Sequence, residues 1–210
     1  MQQHNLRWLR FTLRSVLVVM TVLCIVLGLF VGRAMRQRAA VELLLKVHAE
    51  IQYDCDTGPR QTSHRIPQLI DPNYLHSVTR LILDAPAAND ESLALLEALP
   101  HLEVLMITEG SDVSNDGLRQ LRSVPGLKCL VLASGSIDDR GLGYVAALSG
   151  LEELDIHNQS RITDAGILRL AELKRLRRLT IWNTGAKKIS VACLQSSLPN
   201  CEIDYLPPDE

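Results

Sequence analysis

Glu153, Asp155, His157, Arg178 and Trp182 form the densest polar and aromatic grouping in this 210-residue chain. Asp155 and His157 stand two residues apart, so on a strand they share one side and have the residue types of an acid–base pair. No nucleophile stands at a matching position, which leaves hydrolysis only as a distant alternative. Arg178 and Trp182 are residue types that dominate protein-binding hot spots, which gives a recognition reading of the same group. A third reading makes all five solvated strand residues that form cross-strand ion pairs. The chain contains no P-loop, dinucleotide fingerprint, H-E-x-x-H or G-x-S-x-G. We therefore expect no enzyme, no catalytic residue, no cofactor and no metal site.

The elements that must hold this group are visible in Leu151 to Leu173. Leu151, Leu154 and Ile156 are spaced for a short strand, and Ile167, Leu170 and Leu173 for one face of a helix. A strand–loop–helix unit of this size cannot bury its apolar residues alone and should recur. It does, from starts at Val78, Leu102, Leu127, Leu151 and Leu176, with steps of 24 or 25 residues, and Cys201 opens a remnant. The strand stripe is Val78, Leu81 and Leu83 in the first unit and Leu176, Leu179 and Ile181 in the fifth. The helix stripe is Leu93, Leu96 and Leu99 in the first unit; it blurs in the fifth to Val191, Leu194 and Leu198. Asn89, Ser114, Asp138 and Thr163 sit where a helix N-cap is needed, and Gly117, Gly141 and Gly166 follow three residues later, where backbones should crowd. Because this turn returns with the period, capping explains it better than a ligand loop does.

The L-x-x-L-x-[LI] period, with turns I-T-D-A-G-I from Ile162, I-D-D-R-G-L from Ile137 and V-S-N-D-G-L from Val113, resembles the leucine-rich repeat family. The units look closest to its ribonuclease-inhibitor-like and cysteine-containing subtypes. The likeness covers residues 78–206, about 60% of the chain. It implies an α/β fold: a right-handed solenoid of about five strand–loop–helix repeats. Joined to an N-terminal anchor, the array also resembles bacterial membrane-anchored repeat proteins, which implies an interaction scaffold. Two departures stand out. Pro86, Gly110, Gly135, Gln159 and Thr184 occupy the usual ladder position, and Lys187-Lys188 replaces T-D in the last unit.

Between the buried stripe residues, alternation exposes Arg80, Ile82 and Asp84; Val104, Met106 and Thr108; Cys129, Val131 and Ala133; Glu153, Asp155 and His157; and Arg178, Thr180 and Trp182. The middle two units are apolar there and polar residues border them. Such a patch is expected of a protein-binding face, with Val104, Met106, Val131, Glu153, Asp155, His157, Arg178 and Trp182 as its contact residues. The plain alternative is that Val and Ile are good strand residues.

Ser15 to Gly32 is an 18-residue run without a charge. As a helix it would extend roughly 27 Å, close to the hydrocarbon thickness of a bilayer. Arginines flank both ends, and Trp8 and Phe11 lie near the expected interface. Arg33, Arg36 and Arg38 stand where a signal peptide would need a cleavage site, so a retained single-pass membrane anchor is expected. Basic residues on both sides leave the side of the repeat domain open. The boundaries expected are a basic segment at 1–14, the span at 15–32, a juxtamembrane helix and N-terminal cap at 33–77, repeats with a C-terminal cap at 78–206, and a tail at 207–210. Within the cap, Ile51 to Asp54 reads as a strand, Thr57 to Pro67 as a loop and Ile70 to His76 as a connector. The fragment from Asp54 to Gly58 is no calcium loop, because Arg65 stands where the bidentate glutamate should be.

The net charge of −2 conceals a division. Residues 1–40 hold six arginines and no acid, leaving 16 basic and 24 acidic side chains, a net of −8, for the rest. That balance opposes nucleic-acid binding. Leucine-led aliphatic mass (47% hydrophobic, 4% aromatic) suits repetitive packing. Five scattered cysteines form no zinc pattern. The partners expected are a membrane and a protein of unknown identity. The competing hypothesis is a structural envelope protein that self-associates.

Overall fold

The computed structural model describes residues 13–47, 49–53, 77–85, 87–133 and 136–208. The expected loop at Thr57 to Pro67 and the connector at Ile70 to His76 lie outside these residues, as do Trp8, Phe11, Pro86 and Gly135.

One helix, α1 (Leu13–Lys46), takes in the whole uncharged run and continues beyond it. It is the one helix among the described residues long and apolar enough to cross a membrane. Its large apolar residues from Val16 to Val31 are all exposed, around the full circumference. A helix apolar on every side with no protein cover is matched to lipid rather than to water. No glycine or proline interrupts it after Gly32, and its last turns behave differently. Ala40, Val41 and Leu44 are buried, and Val41 and Leu44 belong to the same core cluster as the repeats. Nine residues separate Gly32 from Val41, about 14 Å of helix, so the apolar span and the capping turn belong to one short rod.

After α1, β1 (Glu50–Tyr53) pairs antiparallel with β2 (Val78–Leu83). The sheet then runs in chain order through β3 (Val104–Ile107), β4 (Cys129–Leu132), β5 (Glu153–Gln159), β6 (Arg178–Thr184) and β7 (Glu202–Leu206). Every pairing from β2 to β7 is parallel and in register. The remnant that begins at Cys201 thus supplies a complete further strand.

All fifteen residues of the strand stripe, from Val78 to Ile181, are buried, as are the helix-stripe residues of all five units. The elements that carry the second stripe differ from expectation. Where a helix was expected in each unit, three units have one short α turn followed by a 3-10 segment. These are α2 (Asp90–Ala94) with Leu95–Ala98, α3 (Asn115–Leu118) with Arg119–Ser123, and α5 (Asp164–Arg169) with Leu170–Glu172. Only α4 (Asp139–Ala146) and α6 (Lys188–Ser197) exceed two turns. Leu93, Leu96 and Leu99 recur every third residue, a spacing that lines them up in a 3-10 segment. Leu142, Val145 and Leu148 keep the same spacing in the unit of α4, so spacing alone does not select the 3-10 form.

The turns are locked twice. Asn89, Ser114, Asp138 and Thr163 each cap their helix, for example through Ser92 N to Asn89 Oδ1 at 2.9 Å and Arg140 N to Asp138 Oδ1 at 2.8 Å. The residue after each cap then reaches forward to the next unit. Asp90 accepts from Ser114 N (2.8 Å) and Oγ (2.6 Å), and Asp139 from Thr163 N (2.7 Å) and Oγ1 (2.6 Å). Asn115 Oδ1 accepts from Asp138 N, and Asp164 Oδ1 accepts from Lys187 N. The crowding expected at the glycines comes from this ladder: a Cβ at Gly117 or Gly166 would overlap the Asp90 or Asp139 carboxylate. In the last unit, which lacks a side-chain cap, Ser190 replaces the glycine and its hydroxyl donates to Asp164 at 2.6 Å.

Candidate functional site

A parallel sheet usually has both faces covered, because crossover connections run over both sides. Here the described helical turns between β2 and β7 pack on one side, in the core cluster they share with the strand stripe. Along β3 and β4 the residues alternate between buried and half-buried, so the second face has no covering layer from the described residues. That face carries every contact residue expected from the sequence. In register across it run Val104, Cys129, Glu153 and Arg178, and above them Met106, Val131, Asp155 and Thr180. His157 and Trp182 pair in the third row.

The face has two zones. Val104, Met106, Cys129 and Val131 form an uncharged strip over β3 and β4, each half-buried by its neighbours. Burial, helped by the Glu153 and Asp155 charges, pushes the Cys129 thiol up to about 11, so it is a neutral apolar member of the strip rather than a nucleophile. Thr108 closes the upper rim by donating to Asp84 Oδ1 at 2.9 Å.

The second zone, over β5 to β7, is polar and aromatic. Arg178 Nη1 lies 3.5 Å from Glu153 Oε1, an exposed pair of the kind expected from cross-strand alternation. The His157 ring meets Trp182 edge-on, with centroids 5.4 Å apart and planes at 75°. That edge-to-face arrangement is favourable for ring quadrupoles. Among the described residues no hydrogen bond or ion pair joins Asp155 to His157, so the acid–base arrangement is not assembled. Trp182 remains 46% exposed although it is the largest side chain on the face.

Two features were missed in the sequence. β7 extends the face with Glu202, Asp204 and Leu206, which lie in register beside Arg178, Thr180 and Trp182. The 25-residue step to Cys201 was the available signal. The second feature is a short run of side-chain bonds beside the usual ladder position. Asn183 Nδ2 donates to Asn158 Oδ1 at 2.8 Å, and Asn158 Nδ2 to Glu109 Oε1 at 2.6 Å. These bonds run one residue before Gln159 and Thr184, from backbones in the left-handed region (φ 56° and 52°) that asparagine tolerates better than most residues. Gln159 is fully buried, and its Oε1 accepts from Ile137 N at 3.2 Å.

Among the described residues no group of His, Cys, Asp and Glu could hold a metal ion. Searched against protein-family models the chain matches none, and no curated protein matches it.

Proposed function

We propose that this chain is a single-pass membrane-anchored interaction protein of the leucine-rich repeat kind, whose uncovered sheet face binds another protein. The observation that carries the reading is the contiguous uncharged strip of Val104, Met106, Cys129 and Val131 on a parallel sheet face with no layer over it. Parallel strands stand about 4.8 Å apart, whereas packed helices need 8–10 Å. An array with strands on one side and helical turns on the other therefore curves toward its strands, which would make the binding face concave. The exposed apolar stretch of α1 supports a retained anchor. The unlinked Asp155 and His157 support binding rather than catalysis.

Site-specific photo-crosslinking in native membranes tests this. A photoreactive residue at Val131 should give one discrete adduct, and one at exposed Ala192, on α6, should give none. Equal labelling at both positions, or none at either, refutes the reading. An adduct of twice the chain's mass would assign the face to self-association.

A further inference from the structure

The charge on the uncovered face is unevenly placed, and this bears on what the face can receive. β5, β6 and β7 present Glu153, Asp155, Glu202 and Asp204 against a single cation, Arg178. Arg178 is engaged with Glu153. Asp155, Glu202 and Asp204 make no side-chain hydrogen bond or ion pair among the described residues. Asp155 and Asp204 flank Thr180 from the two neighbouring strands, in one row. At one strand spacing each, the two carboxylates stand on strands roughly 10 Å apart with the small threonine between them. Trp182 rises two residues further along β6, on the same side as Thr180 and beside Leu206, which is 54% exposed.

Acids on an edge strand are ordinary guards against unwanted pairing, which would account for Glu202 and Asp204. Asp155 lies on β5, two strands inside that edge, where no guard is needed. Two carboxylates around a small floor, with an exposed indole at one end, match a cation: the carboxylates supply charge and the ring a π face. The uncharged strip on β3 and β4 lies directly beside it.

Resting on the reading that this face binds a protein, we propose that the partner presents a segment with a cationic end and an apolar end. An arginine or lysine sits over Thr180 between Asp155 and Asp204 and against Trp182, and uncharged side chains lie along Val131 and Met106.

The test uses the full chain in nonionic detergent with Trp8→Phe, so that Trp182 is the sole tryptophan, titrated with hexa-arginine. Trp182 fluorescence should change saturably, more weakly in high salt, and hexaglutamate should have no effect. Asp155→Asn with Asp204→Asn should weaken binding about 5- to 30-fold, the size expected for two exposed charge contacts. Glu97→Gln, on the opposite side, should leave the affinity unchanged, and circular dichroism should show both variants folded. No saturable change, or equal affinity in the double variant, overturns the proposal. A fluorescence change that follows protein concentration without peptide, with dimer formation, would also overturn it by making a second copy the occupant. If the peptide fails while crosslinking at Val131 persists, only the cationic partner is wrong. If both fail, the binding face itself is wrong.

Discussion

Replacing Asp139 by alanine should destabilise the array far more than its half-buried position suggests. Its two carboxylate oxygens accept from Thr163 N at 2.7 Å and Thr163 Oγ1 at 2.6 Å, so one side chain joins the third repeat to the fourth. Hydrogen bonds to a charged acceptor contribute about 1.5–3 kcal/mol each when buried. These two are exposed to solvent, which reduces them to about 1 kcal/mol apiece. Asp139 also occupies the first turn of α4, where a negative charge contributes a further ~0.3–1 kcal/mol. The expected loss is therefore about 2–3 kcal/mol. Asp116→Ala is the matched control, because that carboxylate also lies in a first helical turn. Its inter-repeat contact is a 3.6 Å pair with Arg140, both side chains about two-thirds exposed, where solvent screens most of the attraction. Guanidinium unfolding of the full chain in detergent micelles, followed by circular dichroism, measures both. A cycle with Thr163→Val should show coupling of about 1 kcal/mol, since neighbours joined by a bond are not additive. An Asp139→Ala loss no larger than that of Asp116→Ala, with no coupling to Thr163, refutes the claim that this ladder holds the repeats in step.

Three further outcomes follow from the same structure. Leu154→Ala, at a fully buried position in the strand stripe, should cost about 2–5 kcal/mol by the same denaturation assay, and a loss near zero would contradict the stripe. Hydrogen bonds from Ser190 Oγ and Lys187 N hold the Asp164 carboxyl below the usual carboxylate range, and donation from Arg140 N does the same for Asp138. A depressed folded-state pKa makes their stabilisation complete above about pH 4 and lost as pH falls through the folded values; Asp164→Asn should flatten the acid limb of stability against pH. Cys129, with its thiol pushed up to about 11 from an ordinary 9.0, should react with iodoacetamide at pH 8.5 more slowly than the exposed Cys193. The raised value also means that ionising Cys129 destabilises the fold as pH rises between 9 and 11. Mass-spectrometric alkylation rates that rank Cys129 as fast as Cys193 would remove it from the half-buried strip.

How much of this was legible differs from one feature to another. The two leucine stripes and their 24–25-residue step were readable because burial is a local requirement repeated in every unit. Leu154 faces the core for the same reason as Leu130 and Leu179. The caps at Ser114 and Thr163 were readable because an N-cap bond closes within three residues. The aspartate ladder was not, although Asp139 and Gly166 stand in plain view. Its partner lies 24 residues away, and only stacking makes a carboxylate and a missing Cβ mutually necessary. The 3-10 segments were not legible, because Leu142, Val145 and Leu148 carry the same three-residue spacing in the unit of α4 as Leu93, Leu96 and Leu99 do in a unit with a 3-10 segment.

The parallel strand–turn repetition, the apolar helix at the start and the side chains that share each face are written in the order of residues alone. These follow from periodicity, which needs no knowledge of neighbours. Packing between units had to be seen before it was plain that the last turns of α1 join the core through Val41 and Leu44, that His157 meets Trp182 rather than Asp155, and that β7 adds Asp204 across Thr180 from Asp155. Each of these depends on which strand or helix lies next to which. Register between units, rather than pattern within one, sets those distances.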